Sequence, residues 1–132
     1  MALQRTTAGR QVGTAASVTV DVAVLRCEGE MGQMELAHLG EELFRLGHRG
    51  VNRVVVDLAG VDHVDYRGLK AVAARARLLK QAGGGIRLAG LTPYLAAIFR
   101  AAGVEEEFEM YRTAEEAKLA VSSLPALAVV RG

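Results

Sequence analysis

The spacing of apolar residues changes several times along the chain, and each change predicts a new element. From Ser17 onward apolar and polar residues alternate, then shift phase before Gly29, which predicts two short strands joined by a turn or bulge. Beyond Gly29, leucines recur at spacings of three and four and predict a helix with one apolar side that ends at Gly47 to Gly50. These leucines are Leu36, Leu39, Leu43 and Leu46.

The middle of the chain predicts a buried strand followed by a second helix. Val51 to Leu58 contains Val54-Val55-Val56, a run that is apolar on both faces, as in a central strand covered by other layers. Asp65 stands directly before the next apolar pattern and is the natural N-cap of that helix. Gly83-Gly84-Gly85 then ends the helix as a turn.

The remaining residues repeat the order of strand and helix. We expect a short strand at Ile86 to Ala89, a helix at Tyr94 to Ala102 and a last strand at Phe108 to Tyr111. Thr113 and Glu116 form the sequence pattern of a capping box that opens a final helix. Strands separated by crossovers of about 20 to 30 residues predict an α/β domain whose later strands are parallel.

The two ends of the chain differ in composition from its middle. Residues 1–16 mix Thr, Gly, Gln, Arg and Ala without a period, which is typical of a flexible arm. Residues 17–122 are predicted to form one domain, and residues 123–132 a C-terminal tail. A chain of 132 residues that is 51% hydrophobic can bury a core, but it leaves no room for a second domain.

Charge and cysteine content narrow the classes of function. The 16 Lys and Arg residues nearly balance the 15 Asp and Glu residues, so no general attraction to nucleic acid or anionic lipid is expected. Cys27 is the one cysteine, and no run approaches the roughly 18 apolar residues of a membrane helix. The sequence therefore predicts a cytoplasmic protein with no nucleic-acid partner and no membrane insertion.

The densest polar cluster follows the predicted central strand. Asp57, Asp62, His63 and Asp65 stand near its C-terminal end, where open α/β sheets bind ligands. They could form a Mg²⁺ site or an acid and base pair, but their spacing matches no metal motif. We favour a structural interpretation in which Asp65 caps a helix, Asp57 bonds loop amides, Asp62 is solvated and His63 is a loop residue. No catalytic residue, metal or cofactor is expected.

Three other groups of residues could carry chemistry, and for each of them we favour a structural role. His38 and His48 lack Cys or carboxylate partners at the spacings that zinc sites use, so we expect them on the surface. Cys27 has the phase of an inward-facing strand residue and is expected to pack in the core. Gly83 to Gly85 precedes a strand and lacks the Lys of a phosphate-binding loop.

Two adjoining stretches carry a resemblance to a known family. They are Arg53-Val54-Val55-Val56-Asp57-Leu58-Ala59-Gly60-Val61 and Val64-Asp65-Tyr66-Arg67-Gly68-Leu69, with supporting matches at Gly29-Glu30-Met31, Gly84-Gly85-Ile86-Arg87-Leu88 and Ala102-Gly103-Val104. In order and spacing these residues resemble the STAS domain of anti-sigma-factor antagonists, over about Val18 to Val121. The resemblance implies a single-domain STAS-like fold, a mixed sheet of four to five strands with about four helices.

The resemblance also implies where a partner binds. The family's usual motif here is Asp-Ser-Ser-Gly-Leu, and its second Ser is phosphorylated by an anti-sigma factor that is also a kinase. This chain has Asp65-Tyr66-Arg67-Gly68-Leu69, so Arg67 matches the phosphoacceptor and carries no hydroxyl. The usual switch cannot operate there. The resemblance therefore implies that Asp65, Tyr66, Arg67, Gly68 and Leu69 bind an anti-sigma factor or a serine-kinase-type ATPase, without catalysis by this chain.

Several alternatives stay open at the level of sequence. The chain could instead be an accessory or scaffold subunit of a larger signalling or transporter complex, or a small-molecule sensor, and a homo-oligomer is open. Arg67 places a positive charge at a helix N-terminus, which costs roughly 0.3 to 1 kcal/mol when exposed, and it either contacts a partner or points into water. Phosphorylation at Tyr66, Thr92 or Ser122 is neither marked nor excluded.

Overall fold

The computed structural model describes residues 22–120, in which strands and helices alternate. Short 3-10 turns precede the second helix and the last strand. The elements are β1 (Val22–Met31), α1 (Gln33–His48), β2 (Arg53–Val64), a 3-10 turn (Tyr66–Gly68), α2 (Leu69–Gln81), β3 (Gly85–Ala89), α3 (Pro93–Ala101), a second 3-10 turn (Glu105–Glu107), β4 (Glu109–Tyr111) and α4 (114–120). This order confirms the predicted α/β class.

The sheet has the strand order β1-β2-β3-β4, and every described pair is parallel. Any antiparallel strand of the expected mixed sheet would therefore have to form outside residues 22–120. The alternating Val18 and Val20, the predicted arm 1–16, the tail 123–132 and Ser122 also lie outside the described residues. The domain boundaries 17–122 accordingly remain a prediction.

The first strand is continuous where the sequence predicted two short strands. β1 pairs with β2 along its whole length, with register shifts between Arg26 and Glu28 and between Gly29 and Glu30. Gly29 has a φ of 78°, in the left-handed region that glycine adopts without a steric penalty. The phase shift in the sequence thus marks bulge-like irregularities within one strand.

The central strand runs well past its neighbour. β3 pairs with β2 only from Arg53 to Asp57, and the rest of β2, Leu58 to Val64, pairs with β1 alone. Beyond that point the chain after β3 passes close to β2. A Cβ added to Gly90 would lie only 2.8 Å from the Ala59 Cα. The sheet therefore ends in a two-stranded ribbon on the side where the strands end.

The core confirms the predicted faces. Val54 and Val56 face a large cluster formed with α1, α2 and α3, whereas Val55 belongs to a second cluster with Ala117 of α4. The buried helix residues are Leu36, Leu39, Leu43 and Leu46 of α1, and Leu69, Val72, Ala73, Ala76 and Leu79 of α2. Val54-Val55-Val56 is thus covered on both sides.

The third and fourth helices begin where threonine hydroxyls cap them. The Thr92 Oγ1 accepts a hydrogen bond from the Leu95 N–H at 3.1 Å, so α3 starts at Pro93, one residue before the predicted start. Thr113 Oγ1 accepts from the Glu116 N–H at 3.1 Å, which confirms the predicted cap of α4. The Glu116 carboxylate, however, pairs with Arg112 at 2.9 Å.

Candidate functional site

The segment from Asp65 to Leu69 connects β2 to α2 at the carboxyl edge of the sheet. The Asp65 N–H donates to the Met31 carbonyl at 2.9 Å, which ties the segment to the end of β1. At its other end Leu69 is buried in the core with 1% exposure. The 3-10 turn between them is therefore fixed at both ends, with its own side chains turned outward.

Asp65 and Arg67 form a closed pair. The Asp65 Oδ1 accepts hydrogen bonds from the Arg67 backbone N–H at 3.0 Å and from its Nε at 3.1 Å, and Oδ2 accepts from Nη2 at 2.8 Å. Asp65 thus caps the 3-10 turn that leads into α2, whereas it was predicted to cap the helix itself, whose N-cap is Gly68. Arg67 folds back onto the same carboxylate, an arrangement that neither sequence alternative included. The bidentate geometry suits a planar guanidinium.

The pair strongly favours the ionised carboxylate. The side-chain hydrogen bonds from Arg67, and secondly its backbone N–H, lower the pKa of Asp65 to about 2. The same contact raises the pKa of Arg67 above its ordinary value. Both side chains remain in contact with solvent, so the ion pair is part of the exposed surface at this edge of the sheet.

Gly68 allows the start of α2 to approach α1. A Cβ at this position would lie 2.7 Å from Leu36 Cδ1 and 3.2 Å from Leu36 Cβ. Its backbone, with φ −92°, suits any residue, so the requirement for glycine is one of space. The start of α2 therefore packs closely against Leu36 of α1.

Three exposed apolar side chains stand at the same edge. Met34 is the second residue of α1, Tyr66 is the first of the turn before α2 and Tyr94 is the second of α3. Their exposures are 68%, 60% and 54%. In parallel strand and helix units, helix N-termini gather at the carboxyl ends of the strands. We call Met34, Asp65, Tyr66, Arg67 and Tyr94 together the docking edge.

His63 fixes the position of Tyr94. Its Nδ1 lies 2.6 Å from the Tyr94 hydroxyl, and the two rings stack with centroids 5.8 Å apart. The prediction that His63 is a loop residue is wrong, since it belongs to β2. Sequence reasoning also missed Tyr94 as a site residue, although its place near the start of a predicted helix was an available signal. For Met31 and Met34 it left a contact patch and core packing open, and in the structure Met31 is buried and Met34 is exposed.

The carboxylates of the predicted polar cluster have separate partners. Asp57 is 8% exposed, accepts from the Ala59 N–H at 3.0 Å and lies 3.4 Å from Arg26 Nε. It thus bonds a backbone amide as predicted, whereas Asp62 is exposed. Within residues 22–120, no group of three or more His, Cys, Asp and Glu side chains could hold a metal ion.

The remaining candidates occupy the predicted surroundings. His38 and His48 are exposed on α1. Cys27 is fully buried, and burial, followed by the negative charge of Asp57, raises the pKa of its thiol to about 12. Such a thiol is neutral and inert as a nucleophile.

The order of these elements and the position of the Asp65 segment define the class of protein. The chain belongs to the STAS domain family, whose family model matches residues 14–117. Among curated proteins it is similar to BtrV of Bordetella bronchiseptica, which is proposed to be an anti-sigma factor antagonist. The two are 28% identical over 102 residues, or 76% of this chain and 88% of BtrV.

Solved structures share the fold. A proposed anti-sigma factor antagonist of Thermotoga maritima, TM1081, matches with a TM-score of 0.70 and 18% identity, over 80% of this chain and 91% of that one. The unphosphorylated anti-sigma factor antagonist SpoIIAA from Bacillus matches with a TM-score of 0.61 and 22% identity, over 87% and 94% of the two chains. In residues 22–120 we find no helix with the length and hydropathy to cross a membrane.

Proposed function

We propose that this chain is a protein-binding module of the anti-sigma-factor-antagonist type, and that its docking edge is always able to bind a partner. Membership of the STAS family and the similarity to BtrV support a signalling role through contacts with other proteins. The partner is an anti-sigma factor or a serine-kinase-type ATPase, the class that the motif resemblance implies. The chain itself supplies a surface and no catalytic group.

The observation that carries the proposal is the Asp65 and Arg67 pair. A phosphoserine at position 67 would bring about −1.5 to −2 charges to the start of α2, beside the carboxylate of Asp65. Arg67 instead brings one positive charge, held 2.8 Å from that carboxylate. The pair is close to neutral in sum. In its charge, the docking edge therefore resembles the unphosphorylated form of the motif. Because position 67 has no hydroxyl, it cannot be phosphorylated and so cannot leave that state.

The composition of the docking edge suits protein binding. Tyr, Arg and Met are enriched at the centres of protein interfaces, and the edge exposes Tyr66, Arg67, Tyr94 and Met34. Two of these side chains are already ordered, Arg67 by Asp65 and Tyr94 by His63. Binding then loses less side-chain entropy, which favours affinity.

Affinity capture followed by calorimetry tests the proposal. The purified chain is used to retain proteins from a lysate of its own cells, with and without ATP, and a retained kinase-like ATPase or anti-sigma factor is then purified. We expect Arg67→Glu to weaken its binding at least about tenfold, since it breaks the pair and adds the charge that a phosphate would bring. Arg49→Glu makes the same charge change at an exposed residue of the opposite edge and should bind as the native chain does.

The result also separates the alternatives. Equal binding by the native chain and Arg67→Glu would contradict the docking edge as the interface. A complex that forms tightly in every nucleotide state, with a partner that is neither kinase-like nor an anti-sigma factor, would instead indicate an accessory subunit. An activity or ligand response lost in Asp57→Ala, with folding intact, would indicate the enzyme or sensor alternative.

A further inference from the structure

A second surface feature lies at the other end of the helices. α1 and α2 run from the carboxyl edge back to the amino edge of the sheet, and near their C-terminal ends they enclose an open groove of about 220 Å³. Its floor is formed by Leu43, Gly47 and Leu79, and its walls by Phe44 and Leu78. Phe44 and Leu78 are 51% and 53% exposed, unusual for two large apolar side chains that face each other.

The rim of this groove is cationic and ordered. The Arg75 guanidinium lies over the Phe44 ring, 4.9 Å from its centroid, a distance at which the charge is attracted by the ring face. The His48 ring packs against the same phenyl group with centroids 5.4 Å apart. Phe44 thus contacts both Arg75 and His48, which also line the groove.

The Arg75 guanidinium is the one full positive charge among the lining residues, and the other polar side chains there, Asn52 and His48, are uncharged amide and imidazole groups. No carboxylate is among its lining residues, and no ion pair to Arg75 is found within residues 22–120. The helix-end carbonyls nearby are already bonded within the chain: Leu46 by the Val51 N–H at 2.8 Å, and Leu79 by the Gly84 N–H at 2.8 Å. A ligand that fits must therefore combine an apolar part with an acidic part.

We infer that this groove docks an amphipathic helix of a partner protein, which inserts a large apolar side chain between Phe44 and Leu78 and places a carboxylate against Arg75. The volume of about 220 Å³ exceeds the roughly 150 Å³ that holds a benzene-sized group. A groove between two helices with a polar rim matches the helix-in-groove mode of recognition. Charge complementarity selects the acidic partner.

A second copy of this chain fits the groove less well. A symmetric contact through the same patch would bury the Arg75 guanidinium of both copies. The patch has no carboxylate to pair with either charge, so such an interface would be costly. The inference is independent of the proposed function, because it concerns a different edge of the molecule.

Two matched synthetic peptides test the inference on the full chain. Each is an amphipathic helix of about three turns with the same leucines, flanked by Glu in one peptide and by Lys in the other. The chain is labelled with ¹⁵N, and amide shifts are followed during titration. We expect the Glu peptide to shift residues at the C-terminal ends of α1 and α2 saturably, and to bind about tenfold or more tightly than the Lys peptide.

Four variants complete the test. Leu78→Asp should abolish binding of the Glu peptide, and Arg75→Glu should reverse the preference to the Lys peptide. Leu119→Asp makes the same substitution at another exposed leucine, in α4 and outside the groove, and should leave binding unchanged. Because Leu78 is half exposed, Leu78→Asp is expected to fold, and Phe44→Gln provides a second groove variant.

Some outcomes would overturn the inference. One is equal affinity for the Glu and Lys peptides, or shifts that fall outside the groove. Another is undiminished binding by folded Leu78→Asp and Phe44→Gln. A concentration-dependent dimer that Leu78→Asp dissociates, seen by light scattering, would assign the groove to a second copy of the chain instead.

Discussion

A single pair of side chains sets the electrostatics of the docking edge. Asp65 accepts three hydrogen bonds from Arg67, two of them through the guanidinium, so both charges are satisfied within the turn. This arrangement needs a planar fork of donors two residues after the acid. A lysine at position 67 would keep the charge but lose the paired geometry.

The acid titration of Asp65 should report this pair directly. We expect its carboxyl resonance to titrate with a pKa of about 2, and Arg67→Ser to raise that pKa toward the ordinary 3.8 by removing the leading cause of the shift. Arg67→Lys should give an intermediate value. Because folding lowers this pKa, the pair's contribution to stability is present above pH 3.8 and is lost as the pH falls toward 2. An unchanged pKa in Arg67→Ser would contradict the pairing.

Cys27 should be silent toward thiol reagents in the native protein. It is fully buried, and its pKa is raised to about 12, so at pH 8 the thiolate is scarce and inaccessible. We expect a chromogenic disulfide reagent to react only as fast as the protein unfolds, and immediately in concentrated urea. Rapid stoichiometric reaction of the native chain would disprove this placement. The neutral thiol stabilises the fold below its ordinary pKa of 9.0, and this contribution is lost as the pH rises toward 12.

At the scale of elements, the turn between α2 and β3 depends on a close backbone contact. A Cβ on Gly84 would overlap the carbonyl oxygen of Asn52, which also accepts the Gly85 N–H at 2.9 Å. Since backbone cannot yield as a side chain can, Gly84→Ala should lower the free energy of unfolding by about 2 kcal/mol, measured by urea denaturation.

Gly40→Ala is the matched control for this turn. Gly40 lies inside α1, and an added Cβ would meet only the Arg75 Cγ, at 4.0 Å. Replacing glycine by alanine within a helix stabilises it by about 0.5 to 1 kcal/mol. The same substitution should thus act in opposite directions at the two positions. A Gly84→Ala chain as stable as the native one would show that the turn has room to shift.

The elements differ in how far they could be predicted from sequence. The stripes of α1 and α2 were predictable because helical periodicity is local, and Leu36, Leu39, Leu43 and Leu46 are all buried. β1 was only partly predictable, since its register shifts depend on pairing with a distant strand.

The site divides in the same way. The cap by Asp65 was predictable from its position before an apolar helix pattern. The fold-back of Arg67 was not, because it depends on side-chain geometry within the turn. The contact between His63 and Tyr94 joins residues 31 apart and follows only from the packing of α3 against β2. The groove at Phe44 likewise needs the relative placement of two helices.

At the scale of the whole molecule, the charges of Arg67 and Arg75 are expected to act nearly independently on stability. The two residues are eight positions apart, about 12 Å along the start of α2, which is longer than the screening length of about 8 Å at physiological salt. The changes in unfolding free energy caused by Arg67→Glu and Arg75→Glu should therefore add in the double variant to within about 0.5 kcal/mol. Thermal or urea denaturation of the four proteins measures this. A larger interaction energy would mean that positions 67 and 75 are coupled through α2.

The two-stranded ribbon formed by β1 and the end of β2 makes the position of the Asp65 turn sensitive to small changes at the base of the ribbon. The part of β2 beyond its pairing with β3, Leu58 to Val64, spans about 23 Å and carries the Asp65 turn at its tip. A tilt of about 5° where the ribbon leaves the sheet would displace that tip by about 2 Å, since displacement grows with arm length. The base of the ribbon lies where the backbone at Gly90 passes close to Ala59. Substituting Gly90 or Ala59 is therefore expected to shift the Asp65 turn without any change in the residues of the turn itself.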